Sequence, residues 1–405
     1  MTEILVLTST WPYLEQHHHP RFVNLLCRRL EKYHKLIVVA PSIRGEKPGE
    51  GEKASLFRYC FAPFELLTGG DGISTNLKRK PWLYFVIPFY FAGLIIHCRG
   101  LIQKKDIGVI HAHWIFPQGL AAALCRVMFR FEIPLLITAH GGDLYGYSGR
   151  ILSWVKKWVL NRADHITVVS RAMETYCVEK LGCSSKKLSV CSMGVDLQNI
   201  FVPGNYRRDP YKIVYIGRLV EKKGVDVLIR AMAKVLDQVP GVQLDVIGGG
   251  SDLGLYKSLA ESLGLSEAIQ FLGAIPNHEV PRHFQRVGLA VMPFRVARGG
   301  DQEGLGLTMV EAIGCGCTVI ASDLPGVQDV IEDGKTGFLV PSENPQALAE
   351  KIIQVIRAAD RRDELCPKAR ELILDKFDWD RVAKTYAELL HKLKGGAYRY
   401  SGPNN

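Results

Sequence analysis

The sequence lacks the cysteine patterns that mark a metal or redox domain. Its ten cysteines include no pair at the two-residue spacing of zinc knuckles and redox motifs, and Cys315 and Cys317 have one residue between them. The segment after Met1, TEILVLTS, has neither the basic start nor the cleavage site of a secretory signal. Most cysteines lie inside apolar runs, as Cys27 and Cys125 do. We therefore expect a cytoplasmic protein with reduced thiols.

Long apolar runs are also scarce. The longest, PWLYFVIPFYFAGLII at residues 81–96, is shorter than the roughly 20 residues of a membrane span and contains Pro88. It directly follows Lys78, Arg79 and Lys80. We expect a buried helix pair here, with peripheral contact of residues 78–96 with an anionic membrane as the alternative.

Acidic residues are few in the first half of the chain. Residues 1–200 hold 25 Lys and Arg against 15 Asp and Glu, whereas residues 201–405 hold 26 of each kind. The whole net charge of +10 therefore lies in the first half, which suggests an anionic partner there. The basic residues form neither an aromatic-interleaved stripe nor a known nucleic-acid module, so we expect no nucleic acid as a partner.

Length and periodicity predict an α/β protein of two domains. A chain of 405 residues is too long for one ordinary core. Short β-rich runs alternate with helical segments, which predicts parallel sheets covered by helices. The predicted strands are EILVLTS, KLIVVAP, GVIHAH, PLLITAH and HITVVS in the first half, and YKIVYIG, VQLDVIG, IQFLG, LAVMP, CTVIAS and GFLVP in the second.

A break in the pattern sets the expected domain boundary. The segment PGNYRRDP at residues 203–210 separates the two series of strands. We predict two doubly wound Rossmann-like domains that face each other across a cleft, with residues 1–203 in the first and 204–378 in the second. The amphipathic helix 379–394 is expected to rejoin the first domain. Folds of this kind bind ligands at the carboxyl ends of their strands. A dinucleotide dehydrogenase is disfavoured, because TSTWPYLEQ after the first strand has no glycine.

Two cations follow the first strand of the second domain. In GRLVEKKG, Arg218 leaves the strand end and Lys223 lies at a helix start. Both could converge on an anion such as a diphosphate, assisted by helix N–H groups. The alternative is that both are simply solvated.

Two glutamates flank a glycine-containing loop further along. In DQEGLGLTMVEA, Glu303 directly precedes Gly304. Seven residues separate Glu303 from Glu311, which lies on a predicted helix. Carboxylates accept hydrogen bonds from vicinal hydroxyls, so we expect each glutamate to bind a sugar hydroxyl of a ligand. The alternative is that Glu303 caps the helix while Glu311 meets an internal arginine.

These segments resemble one enzyme family. Together, EGLGLTMVEA, GRLVEKKG, VIGGG and HGGD are similar to motifs of the retaining GT-B glycosyltransferases of family 4, of the type that builds bacterial polysaccharides. The resemblance extends over nearly the whole chain, including VIHAHWIFPQG, TVVSRAM and CSMGVDLQNIF. It implies that the first domain binds the acceptor and the second binds a nucleotide-sugar donor.

The resemblance also implies roles for individual residues. The Arg218 and Lys223 positions hold the donor diphosphate, and the Glu303 and Glu311 positions bind the donor sugar and the ribose. The remaining implied site residues are Gly304, Leu305, Gly306 and Leu307 around the diphosphate, Ile275 beside the nucleobase, His140 beside the donor sugar, and Gly141, Gly142 and Asp143 on the acceptor side.

The implied activity is hexosyl transfer with retention, without a metal or another cofactor. The donor would be a UDP- or GDP-sugar and the acceptor a glycan, lipid-linked in surface or exopolysaccharide synthesis. A nucleotide-sugar 2-epimerase and a non-catalytic nucleotide-sugar-binding protein remain alternatives. The first loop, STWPYLEQHHHPRF, departs from the paired glycine of many family members, so no contact is assigned to it. A metal at His17, His18 and His19, or at His111 and His113, is a further alternative that the resemblance disfavours.

Overall fold

The structure is a computed structural model of the chain. It describes residues 2–13, 21–49, 51–69, 72–146, 149–205 and 207–396, and of residues 359–363 only the backbone. His17, His18 and His19, one of the alternative metal sites, lie outside the described residues.

The chain divides into two compact units. Unit 1 runs to Val169 and includes Met173–Cys191 and the chain from Ala383 onward, while unit 2 holds Ser170–Ala172 and Ser192–Val382. The sequence suggested a division at 203–204, but the structure groups residues 192–203 with unit 2. Val195 pairs with Asp378, and a Cβ on Gly194 would lie 2.5 Å from the Trp379 ring. This close packing ties the segment to unit 2.

Unit 1 is built on a fully parallel sheet. Its strand order is β3-β2-β1-β4-β5-β6-β7. The strands are β1 Glu3–Leu7, β2 Leu36–Pro41, β3 Ser55–Phe57, β4 Ile107–His113, β5 Leu135–Ala139, β6 His165–Val168 and β7 Leu188–Val190. The central strands β4, β5 and β6 are almost wholly buried, as expected for a parallel sheet covered on both faces. The five predicted strands are confirmed, and the three-residue strands β3 and β7 were not predicted.

The helices of unit 1 lie on both faces of this sheet. They are α1 Phe22–Leu30, α2 Ile73–Arg79, α3 Ile87–Lys104, α4 Leu120–Phe129, α5 Arg150–Arg162, α6 Arg171–Glu179, of which Arg171 and Ala172 fall in unit 2, and α13 Trp379–Lys394, most of which falls in unit 1. Right-handed crossovers place α1 on one face and α3, α4 and α5 on the other, because the strand order moves in opposite directions for the two sets. The contacts agree, since α3 packs against α4 and α4 against α5.

Unit 2 repeats the design with a second parallel sheet, of order β10-β9-β8-β11-β12-β13. The strands are β8 Asp209–Ile216, β9 Gln243–Ile247, β10 Ile269–Gly273, β11 Val287–Met292, β12 Thr318–Ser322 and β13 Phe338–Val340. The helices are α7 Val225–Gln238, α8 Leu253–Ser262, α9 Val280–Arg286, α10 Leu307–Gly314, α11 Pro345–Arg357 and α12 Ala359–Phe377. All six predicted strands are confirmed. The strand order reverses beside β8, which is where doubly wound folds bind ligands.

The apolar run at residues 81–96 is only partly buried. A short 3₁₀ segment, Pro81–Val86, leads into α3, and Pro88 lies in the first turn of α3, where proline is tolerated. Leu83, Tyr90 and Leu94 are buried. Its exposed large side chains are Trp82, Tyr84, Phe85, Phe89 and Ile96. The expectation of a buried helix pair is therefore wrong for one side of this segment.

The same segment belongs to a longer apolar helical stretch. Within the described part of the chain, Pro81–Lys104 is the one stretch that is long and apolar enough to cross a membrane by length and composition. Only 28% of its most apolar window is buried. Because the core helix of a soluble protein can pass the same test, this finding alone does not establish a span.

Candidate functional site

The loop after β8 presents the first candidate residues at the carboxyl edge of the unit 2 sheet. Arg218 follows the strand end, and a single 3₁₀ turn, Glu221–Lys223, precedes α7. Gly224 joins the two with a φ of 63°, and a Cβ there would lie 1.9 Å from the Pro293 carbonyl oxygen. Only glycine fits this close approach, which fixes the path of the chain next to Lys223.

The buried Lys223 and the half-buried Glu303 form an ion pair. The Lys223 Nζ atom lies 2.6 Å from Glu303 Oε2 and 4.6 Å from the centre of the Phe294 ring. Burial lowers the pKa of Lys223. Burial alone would raise the pKa of Glu303, but the charges of Lys223, Lys222 and Arg218 together lower it to about 2. Glu303 is therefore ionised at neutral pH.

A second ion pair lies beside the first. Lys222 Nζ is 3.0 Å from Asp301 Oδ1 and donates to the Gln302 carbonyl oxygen at 3.4 Å. Lys222 is itself buried. Two consecutive lysines thus hold two nearby carboxylates, and together they fasten the 301–303 segment to the loop after β8.

The glycine-containing loop leads directly into α10. Gly304, Leu305 and Gly306 are buried, and Gly306 has a φ of 82°, which favours glycine. Helix α10 begins at Leu307, and no side chain caps its N-terminus. The alternative that Glu303 caps this helix is therefore wrong. The uncapped N–H groups at the start of α10 are suited to bind an anion.

Glu311 lies on α10 and is half-buried. Within the described residues its carboxyl group makes no hydrogen bond and no ion pair, so the alternative of an internal arginine partner is wrong. Arg370 instead donates to the Gly314 carbonyl oxygen at 3.0 Å. Burial raises the pKa of Glu311 to about 7, opposed in part by Lys223. A carboxyl group in this state is left to hydrogen-bond a ligand or water.

Arg218 differs from the two lysines in being exposed. Its guanidinium makes no hydrogen bond or ion pair with any residue that the structure describes, although its charge helps to lower the pKa of Glu303. The Tyr215 hydroxyl donates to the Arg218 carbonyl oxygen at 2.9 Å and holds the backbone in place. The Arg218 backbone is therefore held in place, and its guanidinium is available to a ligand.

Ile275 also lies at the carboxyl edge of the unit 2 sheet. It follows the end of β10 at Gly273 and is half-buried. The strand order places β10 beside β9 and β9 beside β8, so Ile275 and Arg218 both follow strand ends at the same edge. The prediction that Ile275 lies beside a nucleobase stays a prediction.

In unit 1 the predicted acceptor-side loop is held together by Asp143. The backbone N–H of His140 donates to Asp143 Oδ1 at 3.0 Å, and that of Ile115 donates to Oδ2 at 2.7 Å. Burial raises the pKa of Asp143, and these hydrogen bonds oppose the change. Gly141 has a φ of 102° and Gly142 continues the turn, so this short loop doubles back at the end of β5.

His140 belongs to a row of neutral histidines. Its Nε2 atom lies 3.1 Å from Nδ1 of His113, whose ring is 4.2 Å from that of His111. Burial, with a smaller effect from His111, lowers the pKa of His140 to about 3. Burial also lowers the pKa of His111 to about 3 and that of His113 well below its ordinary value. All three imidazoles are uncharged at neutral pH.

The second alternative metal site falls within this row. Among the residues that the structure describes, no group of three or more His, Cys, Asp or Glu side chains is arranged to hold a metal ion. His111 instead contacts the Thr138 hydroxyl at 2.8 Å through Nε2 and stacks on the Tyr386 ring. Trp114 and Phe22 lie against His140, with ring centres at 4.8 and 5.0 Å.

Comparison with known proteins identifies the family. The model for "Glycosyl transferases group 1" matches residues 198–372, and that for "Glycosyltransferase Family 4" matches residues 20–199. The chain belongs to the GT-B glycosyltransferases of family 4. It is a nucleotide-sugar-dependent glycosyltransferase by its family, and its two parallel-sheet domains have the GT-B fold.

Three relatives of this glycosyltransferase illustrate the range of similarity. A GDP-mannose-dependent alpha-(1-6)-phosphatidylinositol monomannoside mannosyltransferase of Mycolicibacterium smegmatis is 28% identical, over 91% of this chain and 93% of its own length. A putative colanic acid biosynthesis glycosyltransferase, WcaL, of Salmonella typhimurium is 28% identical over 73% of each chain. The solved sucrose-phosphate synthase of Thermosynechococcus elongatus superposes with a TM-score of 0.78 at 20% identity, covering 98% of this chain and all of that one.

Two features of this glycosyltransferase were not predicted. The Lys222–Asp301 pair was missed, although adjacent lysines in one motif and two nearby carboxylates in the other are a signal that charge matching could have used. The contact between His113 and His140 was missed because it depends on the register of two strands, in which His113 pairs with Thr138. No local pattern reports that register.

Proposed function

We propose that this glycosyltransferase transfers a hexosyl group from a UDP- or GDP-sugar to a glycan acceptor with retention of the anomeric configuration. The observation that carries the proposal is the Lys223–Glu303 ion pair beside the available guanidinium of Arg218. These residues bring positive charge and a carboxylate together at one edge of the unit 2 sheet. Cleavage of a sugar–diphosphate bond requires both, because the cations bind the diphosphate and the carboxylate binds sugar hydroxyls.

The cations would stabilise the departing diphosphate. When the bond from the anomeric carbon to the phosphate oxygen breaks, negative charge grows on the diphosphate. Arg218, Lys223 and the uncapped N–H groups at the start of α10 would supply positive charge where that negative charge develops. Since these groups supply positive charge themselves, we propose that the reaction needs no metal ion and no other cofactor.

The carboxylates would bind the rest of the donor. Glu303 would accept hydrogen bonds from hydroxyls of the donor sugar, and its ion pair with Lys223 keeps it ionised for that purpose. Glu311 would accept from the ribose. Its pKa of about 7 reflects a carboxyl group that gains from a polar ligand. Ile275 would contact the nucleobase.

His140 and the loop Gly141–Gly142–Asp143 would border the acceptor and the donor sugar. We propose that the acceptor oxygen bonds to the anomeric carbon on the face from which the diphosphate leaves, while a phosphate oxygen takes the acceptor proton. His140 would contribute as a neutral hydrogen-bonding group, because its pKa of about 3 leaves no imidazolium at neutral pH. Attack from the face that the diphosphate leaves would retain the anomeric configuration without a covalent enzyme intermediate.

The acceptor is proposed to be lipid-linked, in the synthesis of bacterial surface or exopolysaccharide at the cytoplasmic face of the membrane. The names of two relatives support this, one acting on a phosphatidylinositol mannoside and the other in colanic acid biosynthesis. The exposed aromatic residues within 78–96 support peripheral contact with an anionic membrane. These residues directly follow Lys78, Arg79 and Lys80.

The proposal is tested in two steps with the whole protein. First, a panel of nucleotide sugars is screened for a rise in melting temperature, since a bound donor stabilises by mass action. Second, the stabilising donor is incubated with lipid-linked glycan, with and without EDTA, and the anomeric configuration of the product is read by NMR. We expect one donor to stabilise, and nucleoside diphosphate release that depends on acceptor and resists EDTA.

Other outcomes would contradict the proposal. An inverted product would exclude retention, and loss of turnover with EDTA would exclude metal independence. Isomerised nucleotide sugar formed without acceptor would identify an epimerase. Donor binding without nucleoside diphosphate release, with every acceptor offered, would identify a non-catalytic binding protein.

A further inference from the structure

Helix α5 has an unusual distribution of buried and exposed side chains. Lys156 is 2% exposed, whereas Ile151 is 79% and Trp154 is 65% exposed. Lys156 is held inside because its Nζ atom donates to the Leu144 carbonyl oxygen at 2.6 Å and lies near the Asp143 charge. A globular protein ordinarily places lysine outside and tryptophan inside. The outer side of α5 is therefore more apolar than stability of the isolated protein requires.

The exposed side chains of α5 form one continuous face. Ile151 and the half-buried Trp158 flank the exposed Trp154 at three- and four-residue spacing, so the three lie along the same side of the helix. Cations border them, and the Arg162 guanidinium lies 3.8 Å from the centre of the Trp158 ring. The exposed cations of the helix are Arg150, Lys157 and Arg162, and the helix carries no acidic residue.

This face lies at the same sheet edge as the acceptor-side loop. In a doubly wound unit each crossover helix starts near the carboxyl ends of the strands and runs back toward their amino ends. Helix α5 starts a few residues after Gly142–Gly146 and ends just before β6, so Ile151 and Trp154 lie at the carboxyl edge with His140.

The exposed aromatic residues near the start of α3 lie at this edge as well. Helix α3 ends just before β4, so Phe85 and Phe89 lie at the opposite, carboxyl end of its path. Both α3 and α5 cover the same face of the sheet, with α4 packed between them. At about 10 Å between neighbouring helix axes, the two apolar clusters lie about 20 Å apart.

We propose that the outer face of α5, formed by Ile151, Trp154, Trp158 and their bordering cations, binds the surface of an anionic phospholipid bilayer. It does so together with the aromatic cluster at the start of α3. Tryptophan flanked by lysine and arginine is the combination that the membrane interface favours, because the rings enter the headgroup region while the cations meet lipid phosphates. A protein partner would not require the three exposed cations Arg150, Lys157 and Arg162 without one carboxylate on the helix.

Bilayer contact at two points on one edge would hold the acceptor-side loop near the membrane surface. The inference deepens the proposed function, since only a lipid-linked acceptor would use this placement. The binding itself requires neither donor nor turnover, so it can fail or succeed independently of the proposed transfer reaction.

The experiment measures binding of the whole protein to vesicles. Co-sedimentation is compared for vesicles of phosphatidylcholine alone and of phosphatidylcholine with phosphatidylglycerol, for the wild type and for the double variant Ile151→Glu/Trp154→Glu. The matched control is Leu255→Glu, because Leu255 is 66% exposed on α8 in unit 2. We expect the double variant to partition at least about tenfold more weakly into anionic vesicles, since two apolar insertions are lost and two anions are added. The control should bind like the wild type.

Additional measurements separate folding, function and self-association. Nucleotide-induced stabilisation of the double variant should equal that of the wild type, which shows that it is folded and that the donor site is intact. Trp154→Phe should retain vesicle binding. Equal vesicle binding by wild type and double variant would overturn the inference, as would a wild type that binds no vesicles. A wild-type dimer in sedimentation velocity that the double variant loses would also overturn it, because a second copy would then cover this face.

Discussion

The two candidate sites treat buried ionisable groups in opposite ways. In unit 2, the buried Lys223 and the half-buried Glu303 form an ion pair, and the lysine charge helps to keep the pKa of Glu303 at about 2. In unit 1, the half-buried His140 contacts the buried His113, and both are uncharged. The first arrangement suits a ligand that carries or develops charge, and the second suits one that presents hydroxyl groups.

The contrast implies different consequences when one member is removed. A buried ion pair that loses one partner leaves an uncompensated charge, which is costly for the folded state. A neutral pair that loses one partner leaves at most an unsatisfied hydrogen-bonding group, which costs less. Substitutions in unit 2 should therefore change stability and activity together, and those in the histidine row should change them much less.

The largest effect is expected for Lys223→Met. The Glu303 carboxylate would stay buried without its cation, which should lower the free energy of unfolding by about 3–5 kcal/mol. Loss of a fixed positive charge at the diphosphate should also lower kcat at least about a hundredfold. Urea unfolding and steady-state kinetics measure the two effects.

A control and a double variant sharpen this test. Lys257→Met removes an exposed lysine of α8 and should change neither quantity. Lys223→Met combined with Glu303→Leu should regain much of the lost stability without regaining activity, because both buried charges are then absent. If the single variant keeps the wild-type free energy of unfolding, then Lys223 does not compensate the charge of Glu303 in the folded protein.

A smaller and purely functional effect is expected for Arg218→Gln. Arg218 is exposed and makes no ion pair with another described residue, so its loss should change the free energy of unfolding by less than about 0.5 kcal/mol. The charge-assisted contact to a diphosphate is worth about 1.5–3 kcal/mol, which predicts a loss of kcat/KM of about 10- to 100-fold. An equal loss of stability and activity would show that Arg218 supports the fold instead.

Glu311 offers a pH-dependent test of an unpaired carboxyl group. Its pKa is raised from 4.5 to about 7 in the folded protein, so the folded state holds a proton that the unfolded state releases. The empty protein should lose stability as the pH rises from about 4.5 to about 7, by about 2 kcal/mol because the half-buried group keeps some hydration.

The variant Glu311→Gln isolates this effect. It should remove that pH dependence and be more stable than the wild type at about pH 8, while binding donor more weakly. Urea unfolding at about pH 5 and about pH 8 measures the first effect, and nucleotide-induced melting shifts measure the second. Parallel stability curves for the two proteins would exclude an unpaired Glu311.

The sequence predicted those parts of the fold that depend on local patterns. The strand β8 is visible in YKIVYIG, and GRLVEKKG after it locates Arg218 and Lys223 at a strand end. The three-residue strands β3 and β7 are too short to show a period, and only their neighbours in the sheet define them. Periodicity also failed at 81–96, since an apolar run shows that a segment is apolar and not which of its sides is covered.

The candidate site was predictable in its residue types but not in its pairing. Lys223 and Glu303 were each assigned to the donor, yet their direct contact joins segments that are distant in the chain. We expected a ligand hydroxyl to satisfy Glu303, whereas Lys223 already does so in the folded protein. Only Glu311 retains the unpaired state that the sequence suggested for both. Contacts of this kind depend on how the elements after β8 and β11 come together, which no single motif encodes.

The smallest effect is expected for the pH dependence of His140. Its pKa of about 3 means that the imidazole stays neutral throughout the physiological range, so transfer should show no inflection near the ordinary histidine pKa of about 6.5 that His140→Asn removes. Stability should respond instead. The unfolded chain binds protons more readily than the folded protein does at His140, so wild-type stability should fall as the pH drops below about 6.5, and it should fall less in His140→Asn.

The exposed His278 is the control, since His278→Asn should leave both profiles unchanged. An acid limb in kcat/KM near pH 6.5 that is lost in His140→Asn would show that His140 acts in a charged form, and the contrast between the two sites would then disappear.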